Sequence, residues 1–161
     1  MAEEEIEAHD ELSHLIYKEQ TSLMTHMKVN TSFSGEVVSI NPGYASVILD
    51  TLEVMRADEI GMVHGGFIFG AADFAAMAAV NEPNVVLASC NCMFFSPVRV
   101  GDQVRFEAEE HQKEGRKRTV NVKGYVYDIK VFEGEFKTII TDRHVLRLDL
   151  LKNTEELHQE V

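Results

Sequence analysis

The run from 65 to 81 carries a single charged side chain, Asp73, among glycines, alanines and large apolar residues. A run of this length predicts a helix that is apolar on every face, and such a helix is buried on every face. Burial without a partner costs a carboxylate several kcal/mol or raises its pKa, so a buried aspartate generally has a partner or a function. The pair Gly65-Gly66 indicates that something approaches the helix start closely. The run therefore predicts a buried central helix that carries a site.

The composition predicts one cytoplasmic globular domain. The 161 residues suffice for one hydrophobic core, and 45% of them are hydrophobic, an ordinary share. The net charge of −12 argues against binding to nucleic acid or to an anionic membrane surface. The acidic start Met-Ala-Glu-Glu-Glu does not resemble a secretory signal, and Asp73 interrupts a run too rich in alanine and glycine for a membrane span. Cys90 and Cys92 are expected to be buried free thiols, because alternate positions of one strand are poorly placed to bridge.

Apolar spacing and turn signals predict one buried helix early in a series of antiparallel strands, which is an α+β arrangement. An additional helix is expected over 3–28, where apolar residues recur at three- and four-residue spacing. Turns are expected at Asn41-Pro42-Gly43 and near Gly101, Gly115 and Gly134. The predicted strands cover 34–40, 45–52, 85–95, 103–111, 117–127 and 135–148. The central helix should stop before Glu82-Pro83, and the tail from 149 to 161 is expected to form a short helix.

Two motifs in this order resemble those of the hotdog-fold thioesterases of the phenylacetate-pathway (PaaI-like) type. The first is His64-Gly65-Gly66 with Asp73 nine residues after the histidine, and the second is Phe94-Phe95-Ser96-Pro97 followed by Gly101-Asp102. The resemblance spans roughly 33 to 148 and implies a hotdog fold, in which an antiparallel sheet wraps around a long central helix. It divides the chain into an N-terminal helical extension at 1–30, a hotdog domain at 31–148 and a tail at 149–161. The helix motif is also similar to that of malonyl-CoA-responsive regulators, which bind a ligand on this fold without hydrolysing it.

Gly65 and Asp73 are the candidate catalytic residues of an acyl-CoA thioesterase. The N–H of Gly65 has no intrahelical partner at a helix start, so it can hold a thioester carbonyl and stabilise a developing oxyanion by about 3 kcal/mol. Asp73 would act as nucleophile or general base. Eight residues of helix separate the two groups by about 12 Å, so the site is expected between the antiparallel helices of a homodimer. The family likewise builds its site between subunits, and a dimer of dimers is compatible with this.

These residues also have structural interpretations. Gly65 and Gly66 would merely let the helix pass close to the sheet, and Asp73 would bond to backbone or to a histidine. His64 suits a role in capping or orienting the helix start better than a proton shuttle. Because His64 and Asp73 lack a third ligand at a recognisable spacing, no metal site is predicted.

Asp58 departs from the pattern of the family. Many thioesterases of this type carry Asn or Gln six residues before the histidine, where the amide helps to polarise the carbonyl. An ionised carboxylate at this position would repel a developing oxyanion. Asp58 is therefore expected either to turn away or to leave the oxyanion hole incomplete, which bears on hydrolysis more than on ligand binding.

The predicted ligand is a coenzyme A thioester, and no other cofactor is expected. Its phosphates need cations, and Arg116-Lys117-Arg118 is the only cluster of three consecutive bases in this acidic chain. Arginine is suited to bidentate phosphate contacts, although a solvated hairpin tip is an equally good interpretation of a short charged run. Ser89 and Asn91 share one face of their strand and could hydrogen-bond the pantetheine arm, while Cys90 and Cys92 occupy the other face.

Two functions remain open at this point. The first is an acyl-CoA thioesterase, which converts a CoA thioester and water into a free acid and CoA. The second is a non-catalytic acyl-CoA-binding or sensing protein that uses the same dimer groove. Asp73 favours the first, because the ligand-sensing relatives carry an amide there, whereas Asp58 favours the second. Hotdog dehydratase or hydratase chemistry is disfavoured because the chain lacks that histidine motif, and a purely structural dimer leaves Asp73 without a partner.

Overall fold

Residues 22–148 of the protein are described by a computed structural model, and they form a six-stranded antiparallel sheet around one long helix. The strand order is β1-β2-β4-β5-β6-β3, so that β1 and β3 are the edges. The strands are Glu36–Asn41 (β1), Tyr44–Asp50 (β2), Val85–Phe94 (β3), Gln103–Glu114 (β4), Lys117–Val126 (β5) and Ile129–Ile140 (β6). The central helix is Gly65–Val80, a short helix is Thr31–Ser34, and 3-10 turns cover Glu53–Met55 and Val145–Arg147. The predicted α+β hotdog arrangement is confirmed.

The central helix presents one side to the sheet and leaves another side partly open. Nine of its residues are buried, among them Ile68 and Met77, and the helix packs against β2, β4 and β5. Gly66 is exposed, and Gly70 and Asp73 are half-buried. The central helix was expected to be buried on every face. Within a single chain, it is fully buried only on the side that faces the sheet.

Alternation along the strands places large apolar side chains on the inner face of the sheet. Fully buried side chains there include Leu49 of β2, Phe106 of β4, Val122 of β5 and Phe136 of β6. The ring of Phe69, on the central helix, stacks on Phe136 with 5.7 Å between the centroids. Burying a side chain of this size stabilises a fold by about 1.5–3 kcal/mol. This layer fixes the position of the helix, and of the candidate residues it carries, against the sheet.

Three of the four predicted turns are confirmed, at 41–43, Gly101 and Gly115. Gly43 and Gly115 each lie between the two strands of a hairpin and have φ angles of 72° and 59°, a conformation that glycine adopts without steric cost. The central helix also ends before Glu82-Pro83 as predicted, with Asn81 in the left-handed conformation at its end.

The turn predicted near Gly134 is wrong, and the strand predicted over 135–148 is confirmed only for 135–140. The strand β6 starts after a turn at Tyr127-Asp128, so that Gly134 lies in its middle, and it ends at residue 140. A Cβ atom on Gly134 would lie 2.9 Å from Cβ of Cys92 and 2.9 Å from Cε2 of Phe136. Gly134 therefore serves close packing between β6 and β3, a role that a sequence pattern does not separate from a turn.

The helix predicted over 3–28 is wrong for its last seven residues, because 22–28 form bends and turns. Residues 3–21 and the tail helix expected at 149–161 lie outside the described residues, as does most of the extension at 1–30. Two hydrogen bonds hold the segment before β1 to the end of the central helix. The side-chain Oδ1 of Asn81 accepts a hydrogen bond from the N–H of Met24 at 2.7 Å, and its Nδ2 donates one to the carbonyl of Ser22 at 2.9 Å. Within residues 22–148, no helix has the length and apolar character needed to cross a membrane.

Candidate functional site

The start of the central helix opens onto an apolar pocket of about 260 Å³. Gly65 and Ile68 of the helix form part of its wall, together with Phe94 at the end of β3 and the four residues after it, and with Met62-Val63, which precede the helix. The N–H of Val63 donates to the carbonyl of Val98 at 2.8 Å and joins the last two segments. The two sequence motifs therefore meet at this pocket.

The N–H groups at the helix start are free to bind another acceptor. His64 occupies the N-cap position with φ −62° and ψ 130°, but its side chain makes no hydrogen bond to the helix, so the capping role expected for it is not found. Its ring instead meets the ring of Phe67 edge-on at 6.3 Å. Among the described residues, the N–H groups of Gly65 and Gly66 have no acceptor. The positive end of the helix dipole adds to their attraction for an anion or a carbonyl.

Asp73 lies two turns further along the helix, on its partly open side. Its Oδ1 atom is buried and has no hydrogen-bond partner among the described residues. Desolvation by burial raises the pKa of Asp73 to about 6, so the carboxyl exchanges its proton near neutral pH. Buried polar groups with structural roles are normally hydrogen-bonded. The expected structural alternative, a bond to backbone or to a histidine, is therefore not observed for Oδ1.

Cys90 and Cys92 lie on the inner face of β3, close enough to Asp73 for its charge to act on Cys90. Both thiols are free, as predicted, and both are half-buried. Burial raises the pKa of Cys90 to about 12, and Cys92 and Asp73 add to the effect. Thiols of such high pKa are poor nucleophiles. Among residues 22–148, no group of three His, Cys, Asp or Glu side chains is arranged to hold a metal.

Asp58 organises the loop that leads into the helix. Its Oδ1 accepts the N–H groups of Ile60, Gly61 and Met62 at 3.1, 2.9 and 3.1 Å. These bonds, those from Met62 and Gly61 above all, hold the pKa of the Asp58 carboxyl below its ordinary value. The carboxylate is thus bound by its own loop, and Asp58 does not line the pocket at Gly65. Within one chain, the Asp58 carboxylate is directed to its own loop and not to the pocket.

A second cavity, of about 400 Å³, lies on the outer face of the sheet, away from the central helix. Ser89 of β3 and Lys137 of β6 are cross-strand neighbours in its wall. Lys117 and Arg118, at the start of β5, line it as well. Glu114 is the one acidic residue among the lining residues, against three cations. In a chain with a net charge of −12, this local excess of positive charge favours an anionic ligand.

The outer cavity divides the predicted coenzyme A contacts. Those that meet in it are Ser89, Lys117 and Arg118. Arg116 lies outside it, with its guanidinium 2.6 Å from the carboxylate of Asp142. Asn91 is exposed two residues beyond Ser89 and also lies outside the cavity. The basic cluster is therefore not one surface, because Arg116 is paired with Asp142 and Nε of Arg118 lies 3.9 Å from Oε1 of Glu110.

The candidate groups occupy three separate positions within one chain. Phe94, at the pocket, and Ser89, at the outer cavity, are five residues apart on β3, or about 17 Å along an extended strand. Asp73 lines neither cavity. The arrangement in a single chain thus separates the carboxylate from the helix start, as the spacing of about 12 Å along the helix requires.

The sequence did not identify the aromatic wall of the pocket or the third cation of the outer cavity. Adjacent residues of a strand face opposite sides, so Phe94-Phe95 at a strand end is a signal that at least one ring lies outside the core. Phe94 is 52% exposed and Phe95 is 46% exposed. No sequence pattern places Lys137 in the outer cavity, because its position opposite Ser89 depends on the register between β3 and β6.

Known proteins share the fold, and the match to one family model covers the segment that contains both motifs. A model described as the thioesterase superfamily matches residues 60–132, which contain both motifs. An uncharacterised protein from Pyrococcus horikoshii is 43% identical, with a TM-score of 0.77 over 78% of this chain and 96% of that one. The segment matched by the family model, 73 of the 161 residues, is similar to the thioesterase superfamily. The phenylacetic acid degradation protein PaaI from Thermus thermophilus, solved as a mutant, is 26% identical, with a TM-score of 0.62 over 68% of this chain and 95% of that one.

A more distant structure of the same fold contains a ligand. A protein from Streptococcus mutans, solved bound to acetyl-CoA, is 16% identical, with a TM-score of 0.65 over 73% of this chain and 97% of that one. At this identity the likeness establishes the shared fold alone.

Two curated relatives of this chain are much longer proteins. Methylthioribose-1-phosphate isomerase from Aquifex aeolicus is 50% identical over 117 residues, which are 73% of this chain and 26% of that protein. Transcription factor FapR from Staphylococcus aureus is 30% identical over 112 residues, which are 69% of this chain and 60% of that protein. The chain thus spans about a quarter and three fifths of their lengths. Because most of the isomerase lies outside the match, its name carries no activity over to this chain.

Proposed function

We propose that the protein is an acyl-CoA thioesterase whose active site is completed by a second copy of the chain. The observation that carries this proposal is the buried, unpartnered Oδ1 of Asp73 on the same helix whose start leaves the N–H of Gly65 free. The match of residues 60–132 to the thioesterase superfamily supports the same chemistry. A protein of this fold bound to acetyl-CoA makes CoA the first carrier to test.

In the proposed reaction, the ionised carboxylate of Asp73 takes a proton from water while the water oxygen attacks the thioester carbonyl carbon. The carbonyl oxygen becomes an oxyanion and accepts the N–H of Gly65, an interaction often worth about 3 kcal/mol in the transition state. The tetrahedral intermediate then expels the CoA thiolate, which takes the proton from Asp73, and the free acid remains. Direct attack by Asp73, giving an anhydride that water hydrolyses, uses the same two residues.

The second chain supplies the missing proximity. Asp73 and Gly65 of one helix are about 12 Å apart along its axis, whereas reacting groups need to be about 3–3.5 Å apart. Two antiparallel helices related by a two-fold axis bring Asp73 of one subunit near Gly65 of the other. The partly open side of the helix and the end of edge strand β3, where Met93 is 61% exposed and Phe94 52% exposed, offer the apolar surface that such an interface buries.

The protein is therefore expected to be at least a homodimer at micromolar concentration. Sedimentation equilibrium over a range of concentrations measures this directly. A folded monomer at tens of micromolar would contradict both the dimer and the site between subunits, since an obligate interface should be saturated there.

We also propose that Lys117, Arg118 and Lys137 of the outer cavity contact the phosphates of coenzyme A. Because this cavity lies on the outer face of the sheet, a bound thioester would pass the sheet edge to reach it or use the cavity of another subunit. Arg118 already donates to the carbonyls of Gly115 and Lys117 at 2.6 and 3.0 Å. The two lysines are therefore the better test of phosphate binding.

Replacing Lys117 and Lys137 together by glutamine should weaken the binding of CoA thioesters by roughly 1–3 kcal/mol in total. The loss should be smaller at high salt, which screens the contacts with the phosphates. A pantetheine thioester lacks the nucleotide and its phosphates, so it should bind the double variant and wild type alike. Calorimetric titration at two salt concentrations measures both effects. Arg116→Gln is the matched control, because that guanidinium is paired with Asp142 outside the cavity. If the double variant binds both thioesters like wild type, the basic residues form a solvated hairpin tip.

The alternative is a non-catalytic acyl-CoA sensor, which the similarity to transcription factor FapR supports. Asp58 does not favour this alternative, because its carboxylate is held by its own loop. A panel of acyl-CoA thioesters, with released thiol as the readout, separates the two functions. Turnover supports the thioesterase, and tight binding without turnover supports the sensor.

A further inference from the structure

We infer that the 260 Å³ pocket at Gly65, here called the acyl pocket, selects an uncharged, apolar acyl group of medium size and excludes carboxylated ones. The inference rests on the proposed function, because the N–H of Gly65 then fixes the position of the thioester carbonyl. Gly65 is itself part of the pocket wall. One of the two substituents of that carbonyl carbon must therefore enter the acyl pocket.

The chemistry of the wall assigns the pocket to the acyl chain and not to the pantetheine arm. Of the ten lining residues, Ser96 alone has a polar side chain, and large apolar side chains such as Ile68 and Phe94 supply most of the wall. The pantetheine arm carries two amide groups, which lose their hydrogen bonds to water on burial and need replacements. An acyl chain needs no hydrogen-bond partner in the pocket except at its carbonyl oxygen, which accepts a hydrogen bond from the N–H of Gly65.

A carboxylate at the far end of the acyl chain would meet no cation in this wall, because none of the lining residues is charged. Lys130 lies just behind the wall, with its Nζ 4.8 Å from the centroid of the Phe95 ring. That ammonium forms an ion pair with Glu133 at 2.7 Å, and Lys130 is not among the residues that line the pocket. Burying a carboxylate without a partner is costly, and the acyl pocket therefore discriminates against dicarboxylic acyl groups.

The volume sets the size of the preferred acyl group. At about 30 Å³ for a water-sized group, the 260 Å³ of the pocket hold roughly eight or nine such groups. Straight acyl chains of about six to nine carbons, or an arylacetyl group, have this size. The ring of Phe94, which is 52% exposed, lies beside Gly65 in this wall: a Cβ on Gly65 would be 3.5 Å from its Cε1 atom.

The test uses analogues of hexanoyl-CoA and adipoyl-CoA in which a methylene group separates the sulfur from the carbonyl carbon. These 2-oxoalkyl thioethers keep the carbonyl that Gly65 would bind, have the same chain length, differ in a terminal carboxylate and resist hydrolysis. Wild-type protein should bind the hexanoyl analogue at least tenfold more tightly by calorimetry. Met62→Lys places an ammonium in the wall at a side chain that is 45% exposed, and it should reduce this ratio tenfold or more. Ile60→Lys is the matched control: it adds the same charge to the same loop, at a residue that is 86% exposed and outside the pocket.

Equal binding of the two analogues by wild type, tighter binding of the adipoyl analogue, or binding of neither would overturn the inference. A ratio that Met62→Lys and Ile60→Lys reduce equally would also overturn it, because the effect would then be long-range. If Met62→Lys does not fold, the wild-type ratio decides. Because the analogues are not hydrolysed, a hexanoyl preference without any thioester turnover would refute the proposed reaction and leave the inference standing.

Discussion

Replacement of Asp73 by asparagine is expected to lower thioester turnover by about 10²-fold or more and to leave acyl-CoA affinity nearly unchanged. The amide keeps the size and polarity of the carboxyl group but neither takes a proton from water nor attacks a carbonyl. Thiol release measures turnover, and titration with a thioether analogue measures affinity. Equal turnover in variant and wild type would remove Asp73 from the reaction, and tight binding without turnover in both would establish a sensor.

The pH dependence of the wild-type rate checks the same assignment. Burial raises the pKa of Asp73 to about 6, and the proposed base acts in its ionised form. The value of kcat/KM should therefore rise with pH through about 6 and level off above it, as the ionised fraction approaches one. The measurement should cover about pH 5 to 8, which lies on both sides of that pKa. A value of kcat/KM that stays constant over this range would contradict the role of Asp73.

Thermal stability provides the control for folding. The pKa of Asp73 is about 6 in the folded protein, against an ordinary value of 3.8, so the folded state binds this proton more tightly. The resulting stabilisation is complete below the ordinary pKa and is lost as the pH rises through 6. The asparagine variant does not lose stability in this way. As the pH is raised from below 3.8 to above 6, its melting temperature should therefore increase relative to that of wild type. A variant that is inactive because it is misfolded would melt at lower temperature throughout.

The sequence predicted the central helix and its two candidate residues because their signals are local. An apolar run with one charge, a glycine pair at its start and Glu82-Pro83 after its end define the helix to within one residue. The spacing of Gly65 and Asp73 along the helix axis then follows from helix geometry alone. The meeting of the two motifs at one pocket does not follow in this way, because it depends on the backbone bond between Val63 and Val98.

The errors and omissions arise where tertiary context decides. Gly134 was interpreted as a turn, although it makes room for Cys92 and Phe136 in the middle of β6. The cations of the outer cavity depend on register, which places Lys137 opposite Ser89. The orientation of the Asp58 carboxylate is a different case, because the three N–H groups that bind it lie only two to four residues further along the chain. An aspartate that bonds back to its own loop in this way is a local feature that the sequence analysis left open.

Replacement of Gly65 by proline is expected to lower turnover by about 10²–10³-fold, the usual cost of losing an oxyanion donor. Proline has no N–H, but it suits the first position of a helix, where the N–H makes no intrahelical bond. The residue before proline must be extended, and His64 already is, with φ −62° and ψ 130°. Circular dichroism should therefore show a folded variant that melts close to wild type.

Alanine at the same position is the matched control, because it adds a side chain and keeps the N–H. Its Cβ would lie 3.5 Å from Cε1 of Phe94, an ordinary contact, so Gly65→Ala should lose far less turnover than Gly65→Pro. The difference between the two variants measures the contribution of the N–H apart from that of the space at the helix start. If alanine and proline reduce kcat equally, the glycine serves close packing at the acyl pocket, and the oxyanion is stabilised by another group.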